Sequence, residues 1–304
     1  MGKLDEVKGG RKRDGLRILL HGPKKIGKTK FAASAPDVIF IEAETEQGSG
    51  EYDVKRFPSC KTWTDLLECV DDLASKEHKY KTVAIDTLDA FEALLFEHLC
   101  SKNKWSSIED PGYGKGYVAA QQEWRVLMAK LEKLRGKMDI ILIGHTAIKL
   151  VVNPEGPDWE QFIPSINNKA AGTLSGWVDV ILFAQYETIV KKDGTKKVKG
   201  VSTGHRLLHT APSASYLAGS RFNLPDPISL DWNEFASSFD KLPASAEELV
   251  ASIYSKLPDL DDGDIKSKAL LKLTEAGKDT EKLTKIDNRL SVLLAEQAAK
   301  KGGS

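Results

Sequence analysis

The sequence predicts an α/β fold with a mainly parallel central sheet flanked by helices, followed by a small C-terminal helical extension. Three observations predict it. A complete phosphate-loop pattern, Gly22-Pro23-Lys24-Lys25-Ile26-Gly27-Lys28-Thr29, stands between an apolar run and a helix-forming stretch. Short apolar runs alternate with longer segments of helical period, as in a sheet with crossover helices. Composition then shifts near Leu242, where Pro243-Ala244-Ser245 leads into helical patterns alone.

The phosphate loop is justified by its context. Leu16-Arg17-Ile18-Leu19-Leu20-His21 reads as a buried strand, and Lys30 to Ala35 can open a helix, the strand–loop–helix order such a loop requires. Successive backbone N–H groups of this loop cradle phosphate, and the helix N-terminus adds a favourable dipole. Gly22 through Lys30 therefore form the predicted nucleotide contact. Lys28 reaches the β- and γ-phosphates and the Thr29 hydroxyl ligates Mg²⁺. ATP and Mg²⁺ are the predicted cofactors.

The remaining strands follow in order: Val38 to Glu42, Thr82 to Asp86, Ile140 to Gly144 and Val178 to Phe183, after a first strand over Arg17 to Leu20. Helical periodicity covers Thr64 to Ala74, Leu88 to Cys100 and Val118 to Leu134. Trp105 to Tyr117 and Val151 to Gly176 break the alternation with glycines and prolines and read as long irregular loops, which in compact domains are often functional. An Asp193-Gly194 turn flanked by lysines predicts a hairpin over 191–199, and a second strand pair is expected near Arg206 to Thr210. The core thus spans 16–240. In the extension, Ser245-Ala246-Glu247-Glu248 is a capping-box pattern before an apolar helical face, and two more helices fall over Lys266 to Glu275 and Glu281 to Ala299.

Composition narrows the function classes. Lys+Arg and Asp+Glu are 44 each, so overall charge names no partner. Cys60, Cys69 and Cys100 form neither a CxxC pair nor a zinc spacing, the pattern of reduced cytoplasmic thiols. No apolar run approaches the roughly 18 residues of a membrane span, and no signal-peptide pattern opens the chain. The expectation is a cytoplasmic protein without a membrane partner. Residues 1–15 read as a basic tail in which Lys8, Arg11, Lys12 and Arg13 can assist a polyanion contact.

Triphosphate hydrolysis requires a placed cation, an oriented water and a positive group for developing charge. Asp86 ends the run Val83-Ala84-Ile85, where a Walker B carboxylate contacts Mg²⁺; the same Asp86-Thr87 pair can instead cap a helix. In Ile39-Phe40-Ile41-Glu42-Ala43-Glu44 either glutamate can polarise the attacking water, because the two share parity on an extended strand. His145 follows the strand Ile140 to Gly144, at the edge where open α/β sheets bind ligands, and can sense the γ-phosphate.

Together these residues resemble the RecA-like ATPases, and within them the phage nucleotide-binding proteins of the Sak type used in single-strand annealing and recombination. The resemblance covers about residues 16 to 240 and rests on the phosphate loop, Ile39 to Glu44, Val83 to Asp86, Ile143-Gly144-His145-Thr146, and Asn167-Asn168-Lys169-Ala170 through Trp177-Val178-Asp179-Val180. It implies a RecA-like core, ATPase activity stimulated by single-stranded DNA, and Glu44 rather than Glu42 as the water-activating base. It also turns the two irregular loops into DNA-binding loops. Tyr113, Tyr117, Trp159 and Phe162 would stack on bases, and Lys115, Lys149 and Lys169 would meet phosphates; the alternative for the aromatics is to pin the loops to the core. Gly219 to Asp226 is similar to the segment by which related assemblies insert a cation into a neighbour's site, with Arg221 as the finger in trans and Arg206 second. A homo-oligomer and a single-strand-binding protein are the implied partners. About 15 residues precede the first strand, short of RecA's N-terminal polymerisation elements, so annealing is expected before strand exchange.

Rival readings of the same loop are a P-loop kinase or phosphotransferase acting on a small acceptor, and a replication accessory factor that uses ATP binding alone. A helicase motor is disfavoured, because this length leaves no room for a loader or second motor domain.

Overall fold

The computed structural model describes residues 14–192, 198–240, 246–261 and 263–301. The chain divides into two compact units, one over Asp14–Asp240 and one containing the residues from Lys241 onward. In chain order the first unit runs β1 (Arg17–His21), α1 (Lys28–Ala33), β2 (Val38–Glu42), β3 (Lys55–Arg56), α2 (Trp63–Ser75), β4 (Thr82–Asp86), α3 (Leu88–Asn103), α4 (Lys115–Glu132), β5 (Asp139–Gly144), β6 (Thr146–Val151), β7 (Trp159–Pro164), α5 (Asn168–Trp177), β8 (Val180–Lys192), β9 (Val198–His209), β10 (Gly219–Ser220), β11 (Ile228–Ser229) and α6 (Trp232–Asp240).

The main sheet has strand order β11-β9-β8-β1-β5-β4-β2-β3, with β10 on β8. From β8 through β3 every neighbouring pair is parallel; β9, β10 and β11 add antiparallel edges. This is an α/β architecture with a mainly parallel sheet. The central strands are apolar without alternation because both their faces are covered. Leu19, Ile41, Val83, Ile85 and Leu142 point to the side packed by α2, α3, α4 and α5. Ile18, Leu20, Phe40, Ala84 and Ile143 point to the side packed by Phe31 of α1 and Trp232 and Phe235 of α6. Helix α2 shows how local sequence and packing agree. Thr62 and Asp65 form a reciprocal capping box, and Trp63, Leu66, Val70 and Leu73 bury one face.

The region read as irregular over Val151 to Gly176 is instead largely ordered. It contains β7, paired antiparallel to β6 in a hairpin of its own, and α5, capped by Asn167. The prolines that suggested a loop bracket these elements: Pro154 and Pro157 lie in the hairpin turn and Pro164 ends β7. Trp105 to Tyr117 does stay irregular up to Gly114, whose positive φ lets α4 begin at Lys115, three residues earlier than expected. β8 runs on to Lys192, past the expected end at Phe183, and pairs with β9. The turn of that lysine hairpin, residues 193–197, lies outside the described residues, as do residues 1–13 of the basic tail and Ser245 of the capping-box pattern.

The second unit contains α7 (Ala246–Lys256), α8 (Gly263–Ala276) and α9 (Thr280–Lys301) around a core of its own that includes Leu249, Ile253, Leu273, Leu283 and Leu290. No helix among the described residues is long and apolar enough to cross a membrane.

Candidate nucleotide site

The parallel strands end at one edge of the sheet, and polar residues gather where β1, β2, β4 and β5 end. The loop from Gly22 to Gly27 joins β1 to α1, with Gly27 at φ 112°, a conformation open to glycine. The Lys28 side chain folds back over it and donates to the carbonyls of Gly22 and Pro23, both at 2.9 Å. Burial pulls its ammonium below the ordinary lysine value, with Asp86, Asp89 and Glu46 opposing. Lys24, Lys25, Gly27, Lys28, Thr29, Glu46, Asp86, Thr87 and His145 share one pocket of about 500 Å³.

Thr29 donates its hydroxyl to Asp86 Oδ2 at 2.8 Å. Two hard oxygen donors meet there, a set suited to Mg²⁺. Asp86 lies at the end of β4 opposite Glu42 of β2. Its carboxyl is pushed up to about 6, chiefly by burial and further by Glu42, with the Thr29 hydrogen bond opposing. A divalent cation relieves this cost of burying negative charge. The Thr87 hydroxyl is buried on the same pocket wall without a hydrogen-bond partner, a group a polar ligand or metal-bound water can satisfy.

The structure separates the glutamates. Glu42 is buried and accepts from Ser49 N at 2.8 Å and Ser49 Oγ at 2.6 Å, while Arg56 bonds Ser49 from the other side. It holds the 3-10 turn Gly48–Glu51 against the site. In that turn a β-carbon on Gly48 would stand 3.1 Å from Thr29 Oγ1. Glu44, the base favoured by resemblance, is not brought to the pocket. Its side chain is 56% exposed and pairs with Lys61 at 3.3 Å, because the chain leaves the strand after Glu42. Of these three glutamates the one that lines the pocket is Glu46, which faces His145 Nε2 at 3.7 Å and Lys24 at 3.6 Å. Strand parity could not reach it, since it lies beyond the strand end in a turn; proximity to Glu42 and Glu44 was the only signal.

His145 is held from behind. Asp89, in the first turn of α3, accepts from His145 N at 3.0 Å and pairs with His145 Nδ1 at 2.7 Å. Burial tends to raise the Asp89 carboxyl, and the His145 hydrogen bonds hold it below the ordinary value. An Nδ1–H donated to Asp89 leaves Nε2 facing the pocket. Ligand atoms of Glu46, Asp89 and His145 lie within 4.8 Å of one another. His145 immediately precedes β6, so it links pocket and hairpin. A second link runs through His21, the fully buried residue before the phosphate loop. It contacts Thr146 Oγ1 at 3.1 Å and the Leu217 carbonyl at 2.6 Å. Burial lowers its pKa to about 4, so it is neutral.

The two arginines lie at opposite edges of the sheet. Arg221 is tied within its own unit, with Nη1 3.1 Å from Asp179 and Nη2 donating to the Gly176 carbonyl at 3.0 Å. Asp179 also receives Arg17 at 2.7 Å and Arg135 at 3.2 Å. This knot lies where β1 and β8 begin, at the sheet edge away from the phosphate loop. Arg206, on β9, reaches the loop itself: its Nη1 lies 2.8 Å from where a Gly27 β-carbon would stand. No ion pair of Arg206 occurs among the described residues, and it lines a polar cleft of about 600 Å³ with Lys30, Glu187, His205 and Leu230.

The residues expected to meet DNA divide likewise. Tyr113 is fully exposed at φ 49°, and Lys115 and Lys169 are exposed. Tyr117 is tied to Glu109 at 2.9 Å and lies edge-on to Phe96. Lys149 donates to the Ile166 carbonyl and Asn168. Phe162 stacks on Phe183 at 5.5 Å, which fastens the hairpin to the sheet. Trp159 is half-buried, its indole N–H buried without a partner. Along β6 and just beyond it, Ile148, Leu150 and Val152 stand 57%, 63% and 75% exposed, an apolar stripe that no run of contiguous residues marks.

A family profile described as AAA domain matches residues 14–222, the span that carries this pocket. No curated protein matches the chain.

Proposed function

The chain belongs to this AAA domain family, and from that premise we propose that it is an ATPase whose turnover is coupled to single-stranded DNA, serving annealing or recombination. The phosphate loop and Lys28 hold the triphosphate, and Thr29 and Asp86 hold Mg²⁺, which neutralises charge on the phosphate oxygens. Glu46 orients the attacking water in place of Glu44, with His145 beside it. Arg206 supplies positive charge from the same chain, and the cleft next to it takes the nucleoside. Assembly as a homo-oligomer and work alongside a single-strand-binding protein belong to the same reading.

The observation that carries the coupling is the position of His145. It faces the nucleotide pocket and stands at the foot of the β6–β7 hairpin. A γ-phosphate contact, formed before hydrolysis and lost after it, would bias the hairpin through one residue. The hairpin offers the Ile148–Leu150–Val152 stripe, and Tyr113, Lys115 and Lys169 supply exposed ring and charge.

The test is ATP turnover with and without an unstructured oligonucleotide across a salt series. Stimulation that fades as salt rises supports phosphate contacts by basic side chains. Turnover that ignores DNA and depends on a small acceptor would replace this reading with the phosphotransferase one. Nucleotide binding without turnover would replace it with the accessory-factor one.

A further inference from the structure

Two carboxylates on one face of α3 grip the two ends of the β6–β7 hairpin. Asp89 holds His145, the residue before β6. One turn further along, Glu92 holds Asn167, which lies after β7 and caps α5. Both Glu92 carboxylate oxygens accept from the Asn167 backbone N–H, at 3.0 and 2.9 Å. We propose that Glu92 is a positioning residue, fixing the outgoing end of the hairpin to α3 so that helix and hairpin respond to nucleotide as one body. The proposal rests on the pocket being the nucleotide site.

Helix geometry puts this clamp in line with the pocket. Residues three apart share a helix face, so Asp89 and Glu92 stand on one side of α3. Thr87, just before the helix, lines the pocket. A hairpin held only through His145 could pivot about that residue; a second anchor fixes its direction. The junction is gripped from the hairpin side as well. Lys149 of β6 donates to the Ile166 carbonyl at 2.9 Å and to Asn168 Oδ1 at 2.6 Å, on either side of Asn167. Ser165 N donates to the His145 carbonyl at 2.9 Å, which closes the base. Glu92 itself is 8% exposed. Burial pushes its carboxyl above the ordinary value, with the Asn167 N–H and the Lys149 charge among the influences opposing it. A neutral oxygen would satisfy one backbone donor at a smaller desolvation cost. The carboxylate makes the stronger bond, which a stiff joint requires.

The experiment follows backbone hydrogen exchange of the full chain with and without a non-hydrolysable ATP analogue and Mg²⁺. In the unaltered chain the analogue should slow exchange over residues 146–168 by about threefold or more. Glu92→Leu deprives the Asn167 N–H of its acceptor and should reduce that response to less than half, while affinity for the analogue stays within about twofold. Glu92→Gln keeps an acceptor in place and should recover most of the response. Asn167→Pro removes the donor instead, at a φ of −58° that proline adopts. It should lose the response to the same extent as Glu92→Leu, and the double variant should lose no more than either alone.

A merely structural bond would raise exchange equally with and without the analogue and leave their ratio unchanged in Glu92→Leu; that result overturns the proposal. So does additive loss in the double variant. An analogue that binds the unaltered chain without changing exchange over 146–168 also overturns it and leaves the nucleotide site standing, whereas an analogue that does not bind sinks site and clamp together. No DNA is present in these measurements. Absence of DNA-stimulated turnover in the unaltered chain would therefore remove the DNA reading and spare the clamp.

Discussion

Lys28, Glu46 and Arg206 converge on one loop from three elements, and each has its own expected signature. Lys28→Ala removes the charge that reaches the phosphates and should lower ATP turnover by roughly a hundredfold or more. Glu46→Gln keeps the size of the side chain and removes its basicity. It should spare nucleotide binding and cost about 10²-fold or more in turnover, while Glu44→Gln, at an exposed carboxylate paired with Lys61, should turn over normally. Rapid-quench ATPase assays and fluorescent-nucleotide titrations separate the two; normal turnover by Glu46→Gln would remove it as the base. Arg206→Ala deletes a charged donor beside Gly27, and charged hydrogen bonds contribute about 1.5–3 kcal/mol. ATP and inorganic tripolyphosphate should therefore both bind about ten- to a hundredfold more weakly. Arg221→Ala, whose guanidinium serves Asp179, should leave both affinities in place.

At the scale of elements, the strand-start knot and the hairpin carry the expectations. The Asp179 side chain is 3% exposed and receives Arg17, Arg135 and Arg221. Asp179→Ala leaves the buried Arg17 without its principal counter-charge and should cost about 3–5 kcal/mol, read by chemical denaturation. A loss under 1 kcal/mol would mean that Glu132, 3.1 Å from Arg17, compensates. On the hairpin, Ile148→Asp with Leu150→Asp puts negative charge on the exposed stripe and should cut the DNA-stimulated part of turnover severalfold. Unchanged stimulation would detach the hairpin from DNA.

For the whole molecule, acid sensitivity should pass through a residue that performs no chemistry. His21 is fully buried and its pKa in the fold is lowered to about 4, against an unfolded value near 6.5. Between those values the unfolded chain binds a proton that the folded chain refuses. Stability should therefore fall as pH drops from about 6.5 towards 4 and level off below it, a loss of roughly 3 kcal/mol at most. Replacing His21 by Asn should flatten that part of a denaturation-against-pH profile; an unchanged slope would assign the sensitivity elsewhere. The two compact units, each with its own apolar core, lead to a further expectation. A fragment of residues 14–240 should fold and bind ATP with wild-type affinity, as measured by calorimetry.

Local pattern carried the phosphate loop and the central strands, because each is written in contiguous residues. Val38–Glu42 and Thr82–Asp86 have the predicted bounds, since strands buried on both faces must be apolar throughout. Helix α2 is equally legible, because its cap and buried face lie within one short segment. Elements that depend on residues far along the chain leave no local pattern. Prolines hid β7 and α5, which depend on pairing with β6 and packing on α4. Which of Glu42, Glu44 and Glu46 lines the pocket depends on where the chain bends after β2 and on Ser49 claiming Glu42.

That this protein builds a nucleotide loop on a parallel sheet is legible in its amino-acid order alone, because loop geometry and strand burial are properties of neighbouring residues. Which glutamate and which arginine reach that loop follows from the folded chain alone. Those choices belong to strand order and to where the chain turns after β2, which bring Glu46, some twenty positions from the loop, and Arg206, far more distant, to the same sheet edge.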